Sequence, residues 1–217
     1  MKRTLTGLAL GCLAGMLPAP APAAQAGPVS WQLAAGFSEP SGQISDYLQG
    51  GWTLDGTLLY APGASRLALR ADLGVSNYNA TNRFLAYGAL LNGVEVDSGY
   101  GTFLSLSAGP QYSVPFVGGS HLYAFAQLAL LYTDLQLTQT VLFAGPYCDP
   151  FFGFCDSFVS TGEAVVYDDS RTRLGWDAGI GIDFPVYYAT YFLELGYHRI
   201  GGSQPVAYVP ITFGFRF

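Results

Sequence analysis

The last ten residues, Tyr208-Val-Pro-Ile-Thr-Phe-Gly-Phe-Arg-Phe217, alternate between apolar and small or polar side chains and stop on an aromatic ring. Strand side chains point alternately to opposite faces. Val209, Ile211, Phe213, Phe215 and Phe217 therefore form one apolar face, while Tyr208, Thr212, Gly214 and Arg216 line the other. Such a strand needs two different surroundings at once, which is a strong constraint on what the rest of the chain must supply.

The opposite end of the chain carries an address. Lys2 and Arg3 precede an apolar stretch from Leu5 to Leu17, followed by Pro and Ala residues and the small-residue site Ala24-Gln25-Ala26. This is the pattern of a secretory signal peptide, and its apolar core is shorter than the about 20 residues that span a bilayer as a helix. Cys12 lies inside that core, and the apolar residues continuing past it argue against a lipid-attachment site. The expected division is a signal peptide at 1–26 and a single domain at 27–217.

Removing Lys2 and Arg3 from the nine basic residues leaves seven, all arginine, against fifteen acidic ones, a balance of −8. Nucleic acid needs concentrated basic surface, so it is not an expected partner. Half of all residues are hydrophobic and only 11% are charged, with 28 glycines, 15 tyrosines and 15 phenylalanines. A barrel in lipid, apolar outside and aromatic at both interfaces, accounts for this composition.

A period of two recurs in eight segments of about ten residues, the length of a tilted membrane strand. They fall near 29–38, 49–60, 66–77, 102–113, 121–133, 172–183, 189–198 and 208–217. The connections at 61–65, 114–120 and 184–188 are short, whereas 39–48, 78–101, 134–171 and 199–207 are longer. Short turns on one side and long loops on the other are the asymmetry of an outer-membrane barrel. A soluble sandwich or lipocalin-like barrel would also show many short strands. It would have to bury the face carrying Arg70, Asp72, Gly74 and Ser76, or the face carrying Arg173, Asp177 and Asp183, or else give the opposite faces a shared core. The segment at 121–133 fits least well, because Tyr123 and Phe125 share a face with Gln127 while Leu122, Leu128 and Leu130 share the other. A bulge or a bulky interior would reconcile it.

These features together resemble the small OmpA/OmpX-type bacterial outer-membrane barrels over the whole mature length. The resemblance implies an all-β, eight-stranded antiparallel up-and-down transmembrane barrel in the outer membrane of a Gram-negative cell, a monomer without cofactor. Its surroundings would be outer-membrane lipid and lipopolysaccharide. The terminal Phe213, Phe215 and Phe217 would be the signal read by the barrel-assembly machinery. The implied role is structural or surface-interacting. Tyr197-His198-Arg199 distantly resembles lipid A deacylase barrels, but that family has its serine two residues after the histidine, where this chain has Ile200. The nucleophile is missing from its place, and Ser203 in a Gly-Gly-Ser loop is a poor substitute, so no catalytic residue is assigned. His198 reads instead as an interface anchor at the outer rim, and His121 as surface.

An eight-stranded barrel is just wide enough to be filled by its own side chains. Alternation sends Asp55, Arg70, Asp72, Asp177, Asp183, Glu194 and Arg216 inward, where they must pair or hydrogen-bond. Arg216 and Asp183 fall near the periplasmic end, with Arg70, Asp72, Asp55 and Glu194 nearer the middle. Two readings stay open, a fixed polar plug and a gate whose pairs exchange; in the second, the excess of acids would favour cations. The longest loop, 134–171, holds Cys148 and Cys155, the only cysteines left after the signal. In an oxidising compartment they are expected to form a disulfide. A metal site is not expected, because no histidine or further cysteine stands near them. Around the cysteines, Tyr147, Phe151, Phe152, Phe154 and Phe158 either pack together beside Val165 and Val166 in an extended hairpin, or form a contact surface for an extracellular partner.

Overall fold

A computed structural model describes residues 28–63, 65–148, 155–186, 189–202 and 205–217. The signal-peptide segment, Phe151, Phe152, Phe154 and Ser203 lie outside the described residues. Eight strands follow one another around a closed antiparallel barrel. They are β1 (Val29–Ser41), β2 (Gly51–Tyr60), β3 (Leu67–Asn79), β4 (Ser98–Pro115), β5 (His121–Cys148), β6 (Cys155–Val186), β7 (Ala189–Ile200) and β8 (Val206–Arg216). The seam closes between β1 and β8, in register from Gln32 opposite Arg216 to Ser41 opposite Ala207. Beyond it, Phe217 and Trp31 exchange both backbone hydrogen bonds at 2.9 Å. Closure leaves no free edge within the barrel wall.

The outward face is apolar in every strand. Leu69, Leu73, Leu106, Leu128, Leu174, Ile180 and Ile211 are all exposed, Leu128 at 78%. Trp31, Tyr60, Tyr112 and Phe217 ring the end with the short turns, and Phe37, Trp52, Tyr100, Tyr132 and Trp176 ring the other. Trp52 and Tyr60 mark the two rings on a single strand. Their separation corresponds to about 26 Å of strand, or about 20 Å of height after tilt, near the apolar band of a membrane barrel. An outer surface of this kind is unfavourable in water and suited to lipid.

The ill-fitting segment in β5 is reconciled by a bulky interior. Tyr123, Phe125 and Gln127 all point inward and are buried, and the neighbouring strand makes room for them. A Cβ added to Gly179 would lie 2.5 Å from Phe125 Cζ, and one on Gly181 would lie 2.3 Å from Tyr123 Cζ. The glycine run of β6 is thus the steric complement of the two rings.

Two long segments expected as loops prove to be ordered. Residues 78–101 contain α1 (Asn82–Asn92), begun by Thr81, whose hydroxyl accepts from Phe84 N at 3.2 Å, and ended by Gly93 at φ 67°. These are ordinary caps, an N-cap hydroxyl and a left-handed glycine. Residues 134–171 are largely strand. β4 leaves β5 at the Ser98–Thr138 pair, and β7 leaves β6 at Gly175–Ile200. From Gln139 opposite Ala164 to Cys148 opposite Cys155, ten successive pairs join β5 only to β6. This two-stranded ribbon extends the hairpin by about 30 Å.

Candidate functional site

The lumen is filled in layers. At the turn end, Arg216 Nη1 lies 2.8 Å from Asp183 Oδ2, and Gln32, with its amide oxygen turned to the guanidinium, accepts from Arg216 Nε at 2.7 Å. Asp183 Oδ1 also accepts from the His121 backbone N–H at 3.1 Å, and the His121 ring lies at the same distance. His121 is half exposed, and its ring contributes to this layer as well as to the surface.

The middle layer is organised by Arg70. Its Nη1 and Nη2 donate to the two carboxylate oxygens of Glu194 at 2.6 and 2.9 Å, and its Nε donates to Asp72 Oδ2 at 2.7 Å. Nη1 also reaches Gln111 Oε1 at 3.3 Å. The guanidinium lies 4.0 Å over the Phe125 ring, and Tyr123 donates to Glu194 at 2.9 Å. Thr57 donates to the other oxygen of Asp72. Arg70 belongs to β3 and Glu194 to β7, four strands away around a ring of eight, so this bidentate pair spans the lumen and ties opposite walls together. Such pairs hold position well because the planar guanidinium matches the carboxylate in two places.

Above it, Asp55 accepts from Thr53 at 3.2 Å, and Ser76 donates to Thr53 at 2.9 Å. Asp177 is not paired by an arginine. Its Oδ1 lies 2.8 Å from His198 Nδ1, although neither that nitrogen nor Asp177 Oδ2 has an aligned hydrogen-bond partner among the described residues. His198 stacks on Tyr208, centroids 4.5 Å apart and planes 4° from parallel. Its expected place as an interface anchor is therefore corrected. Alternation turns the ring into the lumen, where it lies beside a buried carboxylate and stacks on Tyr208. A reading that looked only to arginines as partners for the interior carboxylates missed this contact, although the two-residue spacing from Glu194 to Gly196 to His198 already put the histidine on the inward face.

The loop end of the lumen is apolar. Leu48, Tyr78, Phe103, Leu131, Ile200, Val206 and Tyr208, with Ile44 from the short 3-10 turn Gly42–Asp46, make one buried cluster. Tyr78 and Phe103 have their rings 4.8 Å apart, and both are at most 1% exposed. Tyr78 shares a 2.6 Å hydrogen bond with Ser38, which satisfies its hydroxyl. The inward residues singled out in the sequence are charged or polar, and this second, dry layer lies above them. Outside it, α1 packs on the inner face of the β5–β6 extension, where Ala80, Phe84, Val96 and Leu137 form a smaller core.

At the ribbon base, Asp97 accepts from the Thr140 backbone N–H at 2.7 Å, and this hydrogen bond holds its carboxyl below the ordinary carboxylate range. Leu142 and Val159 on the ribbon, with Val165 at its base, share one face by register, and all are exposed, Leu142 at 71%. The register sets Cys148 opposite Cys155 as its last pair. Tyr147, beside Cys148, and Phe158, opposite Gly145, lie on the two ribbon strands. Among the described residues no cluster of three metal-ligating side chains occurs.

Strand order, apolar belt and filled lumen define a small eight-stranded transmembrane barrel of the outer-membrane type. No protein-family model matches the chain, and no curated protein matches it. Among solved structures, it is similar to Ail, the attachment invasion locus protein of Yersinia pestis, in complex with the heparin analogue sucrose octasulfate, at 11% identity and TM-score 0.48, covering 87% of this chain and 99% of that one. A major outer membrane protein of Thermus thermophilus is similar at 11% identity and TM-score 0.49, over 87% and 99%. OprG of Pseudomonas aeruginosa follows at 12% and 0.43, over 87% and 95%. Likenesses this distant assign nothing to this chain, and the fold stands on its own strand register.

Proposed function

We propose that this protein is a filled outer-membrane scaffold that presents the β5–β6 ribbon to the outside of the cell for contact with another surface. The observation that carries the reading is the pairing of a lumen occluded twice with a ribbon free on both sides. The polar layer around Arg70 and the apolar layer around Phe103 lie one above the other, an arrangement poorly suited to a continuous wet path. The ribbon instead offers strand edges and exposed apolar side chains, Leu142 and Val159, with Val165 at its base. Unpaired edges and exposed apolar patches are where extended partners dock. Pro146 lies on the free β5 edge, a residue that edges tolerate and central strands do not.

On this reading 1–26 is removed on export, 27–217 is the mature barrel, and Phe213, Phe215 and Phe217 are the strand-end signal for assembly. Cys148 and Cys155 close a disulfide at the ribbon tip, so that the contact surface, with Tyr147, Phe151, Phe152, Phe154 and Phe158, is held in one shape. On this reading the barrel has no catalytic role, and His198, beside Asp177 and stacked on Tyr208, is part of the lumen filling.

The test is adhesion of bacteria expressing the full chain, a variant with 139–164 replaced by a tight turn, or Glu194→Ala, to surfaces coated with host matrix proteins. Adhesion should survive Glu194→Ala and vanish with the ribbon. Equal adhesion by the ribbonless variant, or none by the full chain, would refute the reading.

A further inference from the structure

The outer edge of β5 in the ribbon is short, and chemistry sets both of its ends. Successive residues of an antiparallel strand aim their backbone N–H and C=O groups at alternate edges. Thr138 C=O accepts from the Asp97 N–H at 3.1 Å, and the Thr140 N–H donates to Asp97 Oδ2 at 2.7 Å. Thr138, Thr140, Leu142, Ala144 and Pro146 therefore aim away from β6. The N–H of Thr140 is taken by Asp97, and Pro146 has none to give. Between these stops, Leu142 and Ala144 each offer both an N–H and a C=O. No described strand pairs with β5 on that side beyond Thr138.

Such an edge fits a copy of itself. Laid antiparallel about Phe143, it sets Leu142 opposite the second copy's Ala144 and Ala144 opposite the second copy's Leu142, and two such hydrogen-bonded pairs make four backbone bonds. The next rung on either side joins Thr140 to the second copy's Pro146, where one N–H is engaged and the other does not exist. The ladder stops there, and the Asp97 contact is left in place. A flexible peptide would have to be ordered along its length for the same few bonds, each weak against water. A second β5 edge is already a strand.

Charge selects the same edge. With 15 acidic against nine basic residues, two copies repel each other over most of their surfaces. From Gln139 to Cys148, β5 carries no charged residue, whereas β6 has Asp156 and Glu163 along the other side of the ribbon. Like charges facing each other across a strand pair are unfavourable, so the β5 edge is the better meeting place. Direction then fixes where the second copy stands. Ribbons of one membrane all leave it the same way, and an antiparallel partner must come from the opposite side.

We propose that the β5 edge at Leu142 and Ala144 pairs antiparallel with the same edge of a second copy on a facing cell, a homotypic bridge between two outer membranes. The inference rests on the reading of the ribbon as an outward contact element and names its partner. One bridge is weak, and many side by side on two surfaces act together.

The experiment mixes bacteria expressing the full chain, labelled red, with green bacteria that express the same chain or none, and counts both colours in the aggregates. Green cells should join only when they too express the protein. Ala144→Pro removes one outward N–H without touching the ladder to β6, a change that edges tolerate, and should disperse the cells. Thr161→Pro, the matching change on the β6 edge, should leave aggregation as it was. Heat-modifiable gel mobility and the protease sensitivity of the ribbon report whether each variant is folded, and the two-colour count on the unaltered chain decides the matter even if neither is. Recruitment of non-expressing green cells as readily as expressing ones, no aggregation of expressing cells, or aggregation that survives in folded Ala144→Pro would overturn the proposal. Adhesion to host matrix proteins, scored on the same cells, separates the two readings: adhesion without self-aggregation would overturn this pairing and leave the ribbon's contact role standing.

Discussion

The barrel wall and the β5–β6 ribbon are built from the same two strands, yet they obey different physics. Within the wall, Leu130 of β5 lies between Leu106 of β4 and Leu174 of β6, and the inward side chains beside it are packed to closure. Along the ribbon from Gln139 to Cys148, each strand has one strand neighbour, and the outer edge of β5 is met only at its base, where Asp97 accepts from Thr140. The wall gains from lipid, from complete backbone pairing and from a cross-lumen ion pair. The ribbon has only its own ladder, the α1 packing at its base and whatever closes its tip. Isolated two-stranded hairpins are marginal in water. Stability and presentation are thus separated along the length of a single hairpin.

The sharpest way to break that separation is at Arg70. Arg70→Ala leaves Glu194 and Asp72 without their cation in a buried layer, and it should destabilise the barrel by about 3–5 kcal/mol. Urea unfolding of the barrel in lipid measures this, and the protease sensitivity of the ribbon under folding conditions should stay as it was. His198→Ala removes the buried ring beside Asp177 and its stacking on Tyr208 and should cost less, about 1–3 kcal/mol; a loss as large as that of Arg70→Ala would mean that the two layers act as one. Cys148→Ser should leave barrel unfolding unchanged but speed cleavage of the ribbon by protease added to intact cells. If the cysteines are joined, neither should react with a thiol reagent before reduction.

The smallest effect belongs to Asp97. Its carboxyl is held low by the Thr140 N–H, so its contribution is complete above the ordinary carboxylate value of about 4. That contribution is lost only as pH falls through the lower folded value. Hydrogen exchange at Thr140, corrected for the intrinsic rate, should lose protection in that acidic range, and Asp97→Asn should remove the pH dependence.

Much of the wall was legible in the sequence because a membrane strand must alternate, and the terminal strand does so from Tyr208 to Phe217. The inward set Arg70, Asp72, Asp177, Asp183, Glu194 and Arg216 follows from the same periodicity. What alternation does not convey is how partners meet across the lumen. The Arg70–Glu194 pair joins residues 124 apart, and only the closed ring brings β3 opposite β7. The apolar layer was hidden for another reason. Phe103 occupies an inward position in a strand whose other inward residues, Gly101, Ser105, Ser107, Gly109 and Gln111, are small or polar, and a polar average conceals a dry top. The ribbon was hard to read because, without lipid outside or a lumen inside, its faces need not differ in polarity. Gln139 to Gly145 consequently carries no clear period. The helix had readable caps in Thr81 and Gly93, but the rhythm of eight membrane strands assigned that span to a loop.

The central claim is that the lumen is closed and the outward structures carry the function. Single-channel recording of the refolded barrel in a planar bilayer, beside Glu194→Ala, tests it most directly. A silent bilayer for the unaltered protein is the predicted result. Stable cation-selective openings of the unaltered protein, changed in conductance by Glu194→Ala, would contradict the account and make the Arg70–Glu194 layer a gate.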